Sequence, residues 1–329
     1  MKRIITFVFA LVVGVAMLGL SVPTEAAKLR IGAHRAIMGS FEVVAHKGGF
    51  WKKEGLDYTF TSFKQGKLMR NAIIQNNLDT GTTGFSPFST AISRGAKVTA
   101  IGVTANICGT SHVIVAKNSK WKNLGQLKGK TFVTKKGTSV DFALKSYILP
   151  AYGLGVGDFT WLSTYTTERV ANVASGKADV GIVGDPQYEI AAQKGMIRSI
   201  ETYCKYDATR MMHVGNPQTI KSNRDLYVKY FRGWLKAHML LRSNPTKYGD
   251  IYFSALKEIG TKTKRSVIQN VVRRLKSAPY ITGEVKAYLN DMNAKQVKLK
   301  WIKKGTNFFT KDTFDDSMLG EAAIQVGYR

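Results

Sequence analysis

Apolar residues along this chain recur first at the spacing of strands alternating with helices, and after Pro217 at helical spacing alone. Residues 29–33 predict a strand, followed by a turn over 34–40 and a helix whose apolar side is Phe41, Val44, Ala45 and then Phe50-Trp51. The alternation over 56–63 predicts a second strand. A helix over 67–77 and a short strand over 78–85 follow, and Ser86-Pro87 starts another helix. A strand over 98–103 is broken by residues 106–109. From Ser111 the pattern restarts, with strands at 112–116, 131–134, 158–164, 178–184, 196–203 and 210–214. Long amphipathic helices are then expected at 222–243, 246–259, 264–276 and 283–293, with one more at 313–326.

The stretch 124–145 organises the middle of the chain. A strand over 131–134 feeds the turn Lys136-Gly137-Thr138-Ser139, and a helix follows with Val140, Ala143, Leu144, Tyr147 and Ile148 on one side. Ser139 is the expected N-cap and Asp141 suits the first turn. Such a turn leaves backbone N–H groups and hydroxyls off the strand end, a place to hold an oxygen-rich small molecule or simply a capped connection. Gly125 to Thr131 resembles a phosphate-binding loop, but it is one residue short between the glycines and leads into a strand, which excludes that reading.

Two segments echo each other. A helix, Asn76-Asn77-Leu78-Asp79-Thr80-Gly81, a strand and Ser86-Pro87 recur as a helix, Ser175-Gly176-Lys177-Ala178-Asp179-Val180-Gly181, a strand and Asp185-Pro186. Open α/β sheets bind ligands at their strand ends. Two such edges facing each other predict a two-lobed clamp that closes by hinge motion. The expected division is lobe I at 27–109 and 215–329 and lobe II at 110–214, with the chain crossing near 109 and near 214.

The N-terminus changes the compartment. Met1-Lys2-Arg3, the apolar run 4–20, Pro23 and Thr24-Glu25-Ala26 read as a signal peptide over 1–26, cut before Ala27, with an uncleaved anchor as the alternative. Export permits a disulfide between Cys108 and Cys204, with two buried free thiols as the alternative, and their spacing does not decide between them. The five histidines lack metal-motif spacing, and no cofactor motif is present, so neither metal nor cofactor is expected. The net charge of +27 implies attraction to anions. With no arginine-rich tail or RNA-binding signature, nucleic acid is not expected as a partner.

Four blocks in order carry a family resemblance. They are residues 47–57 (Lys-Gly-Gly-Phe-Trp-Lys-Lys-Glu-Gly-Leu-Asp), 78–84 with Ala91 to Ala96 behind it, 127–130 with Gly137-Thr138-Ser139, and 175–186. In these the chain, from about 29 to about 217, resembles the periplasmic solute-binding proteins of ABC importers, of the nitrate/sulfonate/taurine-binding-like (SsuA/TauA-like) family. The resemblance implies an α/β type II periplasmic-binding fold with a hinge of two crossover segments, a periplasmic monomer, and delivery of a small, anionic solute to an inner-membrane permease. It places ligand contacts at the strand-end turns: Arg35, Met38, Gly39 and Ser40; Phe85 and Ser86; Cys108, Thr110 and Ser111; Gly137, Thr138 and Ser139; and Asp185. Arg35 would supply a charge for a carboxylate or sulfonate, and Phe85, Trp161 and Tyr165 would form an aromatic wall or belong to the core. An enzyme or sensory module on the same fold, acting on a heterocyclic or aromatic molecule, is the alternative. No nucleophile elbow or paired carboxylates support catalysis, and Asp185 reads better as a hinge or capping residue than as a base.

Overall fold

In the computed structural model, which describes residues 28–206, 210–277, 279–280 and 282–328, the strands form two sheets. The signal peptide and its cleavage point lie outside the described residues. The first sheet is built from β1 (Leu29–His34), β2 (Tyr58–Phe63), β3 (Thr80–Gly84) and β4 (Thr99–Asn106), which come before the first crossing. The second holds β5 (Ser111–Ala116), β6 (Thr131–Thr134), β7 (Thr160–Ser163), β8 (Val180–Gly184) and β9 (Ile197–Thr202). The chain then returns to the first sheet with β10 (Arg210–Gly215) and, much later, β11 (Lys276–Ser277). The strand orders are β11-β4-β10-β3-β1-β2 and β7-β6-β8-β5-β9.

Parallel pairing of β1 with β2 and β3, and of β6 with β7 and β8, follows from the helices that return the chain between them. β5 and β10 each enter a sheet straight from a crossing and therefore run antiparallel to their neighbours. The expected boundary at 214 would cut β10 from its own sheet. The ladder of β10 with β3 and β4 puts the return crossing before Arg210.

Both sheets are covered on two faces. In β6, Phe132 turns to a cluster with Leu144, Ile148 and Phe159, while Val133 turns to Val170, Val173 and Ile114. Beside the first sheet the C-terminal helices Arg224–Ser243, Pro245–Glu258, Arg265–Arg273, Gly283–Lys298 and Ser317–Val326 close the fold. The helix expected at 264–276 stops early because Lys276 and Ser277 pair with Asn106 and Ala105. Trp51, Phe41, Trp234 and Tyr248 are fully buried where helices Ser40–Lys47 and Arg224–Ser243 meet. Trp51 Nε1 donates to the Tyr230 carbonyl at 2.9 Å, which satisfies its one polar atom.

This core also encloses an acid. Glu42 is fully buried, and its Oε1 accepts from Thr82 Oγ1 at 2.6 Å. Burial pushes its carboxyl up to about 7. His213 Nδ1 lies 3.8 Å from the same oxygen, and burial pushes that imidazole down to about 3. Because the folded state holds the Glu42 proton more tightly than the unfolded chain, the contribution of Glu42 is complete below its ordinary value of 4.5 and is lost as pH rises through 7. His213 acts oppositely, favouring the fold above 6.5 and losing that contribution as pH falls towards 3. Glu42→Gln, which keeps the shape without the charge, should therefore gain stability relative to wild type by about 3 kcal/mol between pH 4.5 and pH 8. Urea unfolding of both proteins at the two pH values measures this, and parallel profiles would contradict it.

Candidate functional site

The two sheets present strand ends to each other. At Gly84, the last residue of β3, a Cβ would stand 1.9 Å from Ser139 Oγ, which belongs to the turn after β6. Only a residue without a side chain permits this approach. Around it, Phe142 packs on Trp301 at 5.5 Å, and Tyr147 donates to Asp291 Oδ2 at 2.8 Å. The strand ends are thus brought together with the facing helices in contact.

The two crossings between the sheets form the hinge. The first crossing runs over Ile107 to Thr110, and the second lies between Thr202 and Arg210. Cys108 and Cys204 form a disulfide, so the two crossings are tied side by side. This decides between the two readings left open for the cysteines, and Cys108 offers no thiol to a ligand. Thr110 and Ser111 both turn their hydroxyls to the Ile107 carbonyl, at 3.0 and 3.2 Å. Asp185 donates its N–H to the Thr110 carbonyl at 2.9 Å, and its buried Oδ2 accepts from Arg274 Nε and Nη2 at 3.2 and 2.9 Å. His112 Nε2 stands 3.4 Å from the same oxygen, and Arg274 also reaches Glu189. Asp185 is a hinge residue in an ion-pair network.

The remaining expected contacts divide by whether their polar atoms are already engaged. Ser40 Oγ is buried against the Tyr248 hydroxyl at 2.7 Å, and Gly39 packs on the His34 backbone. Ser86 Oγ accepts from Gln296 Nε2 at 3.0 Å. Phe85 is buried edge-on against Phe308 in the core, and Trp161 packs on Phe132, so neither forms an aromatic wall. Met38 is half-buried against the core that contains Phe41 and Trp234. Tyr165 is exposed beneath Lys135. Arg35 is exposed and makes no ion pair among the described residues.

At the other edge, Gly137 takes a left-handed turn at φ +81° and donates its N–H to Asp141 Oδ2 at 3.1 Å. Thr138, and not Ser139, caps the helix Ser139–Ala143, with its Oγ1 accepting from Asp141 N–H at 3.3 Å. Ser139 has moved into the first turn and keeps its hydroxyl unpartnered among the described residues. Sequence reasoning missed Gln296, Arg274, Glu189 and Asp291. Each reaches its partner from a helix, or in the case of Arg274 from the residue just past one, whose sequence carries no motif, so no local signal marks it.

Two α/β sheets joined by two crossings, with strand ends facing across a hinge, define a periplasmic-binding-protein-like fold. The chain belongs to the family described as NMT1/THI5 like, whose model matches residues 40–248. A protein of Escherichia coli (strain K12) named for aliphatic sulfonates binding is 27% identical over 203 residues, 61% of this chain and 63% of that protein. The chain thus spans less than two thirds of that relative's length. A Bacillus subtilis (strain 168) protein so named is 22% identical over 250 residues, 74% of each chain. Among solved structures, the periplasmic aliphatic sulphonate binding protein SsuA from Escherichia coli superposes with TM-score 0.73 at 22% identity, covering 85% of this chain and 89% of that one. The periplasmic nitrate-binding protein NrtA from Synechocystis PCC 6803 gives 0.75 at 13% identity, covering 93% and 90%.

Two outcomes follow from this geometry. Gly84→Ala should destabilise the protein by about 1–3 kcal/mol through overpacking, and Ser139→Gly in the same chain should recover most of that loss. Urea unfolding of the single and double variants tests the pair, and additive losses would contradict a contact between them. Replacing Cys108 and Cys204 together by serine should cost about 2–4 kcal/mol, read from the same titration. An unchanged midpoint would contradict a hinge held by the disulfide.

Proposed function

We propose that the protein is the exported solute-binding component of an ABC importer, a binding protein and not an enzyme. Its two lobes, one on each sheet, close on a small organic anion such as a sulfonate or carboxylate and present it to an inner-membrane permease. In this reading lobe I holds residues 28–106 and 210–328 and lobe II holds 111–202, and the protein acts as a monomer. The observation that carries the proposal is the meeting of the β3 and β6 strand ends at Gly84 and Ser139, within a family whose relatives are named for sulfonates. The net charge of +27 would draw an anion towards that cleft. Ser139 is the sequence-expected contact that keeps the best claim to the ligand, since the hydroxyls of Ser40, Ser86 and Thr138 and the N–H of Gly137 are engaged elsewhere.

A thermal-unfolding screen with alkanesulfonates, short carboxylates, nitrate and neutral analogues tests the reading. A true ligand at a hundredfold excess over Kd should stabilise the protein by about 2.7 kcal/mol. Small-angle scattering should show a lower radius of gyration with the ligand bound. Stabilisation by neutral solutes alone would defeat the anion, and an unchanged radius would defeat closure.

A further inference from the structure

Arg169 is a buried charge with too few partners. It sits in the helix Thr166–Ala174 with 6% of its surface exposed. Nη2 donates to Thr166 Oγ1 at 2.7 Å, while Nε and Nη1 have no hydrogen-bond partner among the described residues. Burial pushes the guanidinium down to about 10, opposed by Tyr203 and Asp141. A guanidinium does not shed its proton at neutral pH, so burial without acceptors leaves Nε and Nη1 uncompensated. Asp141 acts on it only through space: Oδ2 accepts from Gly137 N–H, Oδ1 lies 2.9 Å from Lys145 Nζ, and among the described residues neither oxygen accepts a hydrogen bond from Arg169.

The direction of the side chain says where the missing partner belongs. Helical side chains lean towards the helix N-terminus, and the bond to Thr166 holds Arg169 that way. The start of this helix adjoins the end of β6, where Thr164 N–H donates to the Thr134 carbonyl at 3.0 Å. Thr134 Oγ1 is buried there without a partner, as is Ser139 Oγ on the turn that meets Gly84. The Tyr203 hydroxyl donates to the carbonyl of Val140, between Ser139 and Asp141, which ties the surroundings of Arg169 to the same turn.

We propose that Arg169 is the positive charge that receives the anionic group of the solute, with the hydroxyls of Thr134 and Ser139 donating beside it. This rests on the reading of the protein as an anion-capturing clamp. It moves the recognition charge from Arg35, which is exposed and screened by water, to a desolvated arginine on the other lobe.

Calorimetric titration with butanesulfonate, octanesulfonate and butyrate, on wild type, Arg169→Met, Arg169→Lys and Arg35→Ala, separates the possibilities. Arg169→Met should weaken binding of the anions on the order of a hundredfold, and Arg169→Lys about tenfold. Arg35→Ala should stay within about threefold of wild type. Without ligand, Arg169→Met should melt above wild type, since removing an uncompensated buried charge relieves the fold, whereas an arginine that merely props its helix would melt lower when replaced. Affinity within about threefold of wild type in Arg169→Met or in Arg169→Lys overturns this inference and leaves the anion reading standing. A lower melting temperature of Arg169→Met also overturns it. A wild type that binds none of these anions removes the anion reading, and this inference with it.

Discussion

The structure depends on the chain passing twice between its sheets at one place. β4 leaves the first sheet and β10 returns to it, and the Cys108–Cys204 bond holds the two passages together. Everything else is arranged by that constraint. β5 and β10 run antiparallel because they enter straight from the crossings, and the parallel strands therefore point their carboxyl ends at each other. Asp185, bound by Arg274 and backed by His112, adds a second tie beside the disulfide, this one made of charge. A hinge so held can bend at few positions, which favours movement of whole lobes over local yielding.

Away from the hinge, the two halves meet through small and polar groups. Gly84 allows Ser139 to touch the end of β3, while Phe142 against Trp301 and Tyr147 against Asp291 close the flank. Among the polar atoms left without hydrogen-bond partners are Ser139 Oγ on the turn, Thr134 Oγ1 at the end of β6, and Nε and Nη1 of Arg169. Buried donors without acceptors are costly in a resting protein and useful in one that takes up an anion, because the solute supplies what the fold withholds.

The alternation of strand and helix through residue 216 was legible because β-branched runs and helical spacing are punctuated by glycines, and the four family blocks lie on those joints. The long C-terminal helices were legible from their amphipathic period. What was not legible depends on contacts far apart in sequence. Ser86 and Ser40 look like free cap residues until Gln296 and Tyr248 arrive from helices near the C-terminus. β11 is two residues long and exists only because β4 lies alongside. The cysteines could be paired only by bringing the two crossings together. Nothing in the sequence around Arg169 sets it apart, and its lack of hydrogen-bond acceptors is visible only from its burial in the fold.

The central claim is that the fold captures a small anion, and the solute that the native protein carries tests it most directly. Native mass spectrometry of the protein purified without ligand exchange, followed by identification of what denaturation releases, reads this in one experiment. The account predicts one small sulfonate or carboxylate per chain. A neutral solute recovered in the same proportion would contradict it.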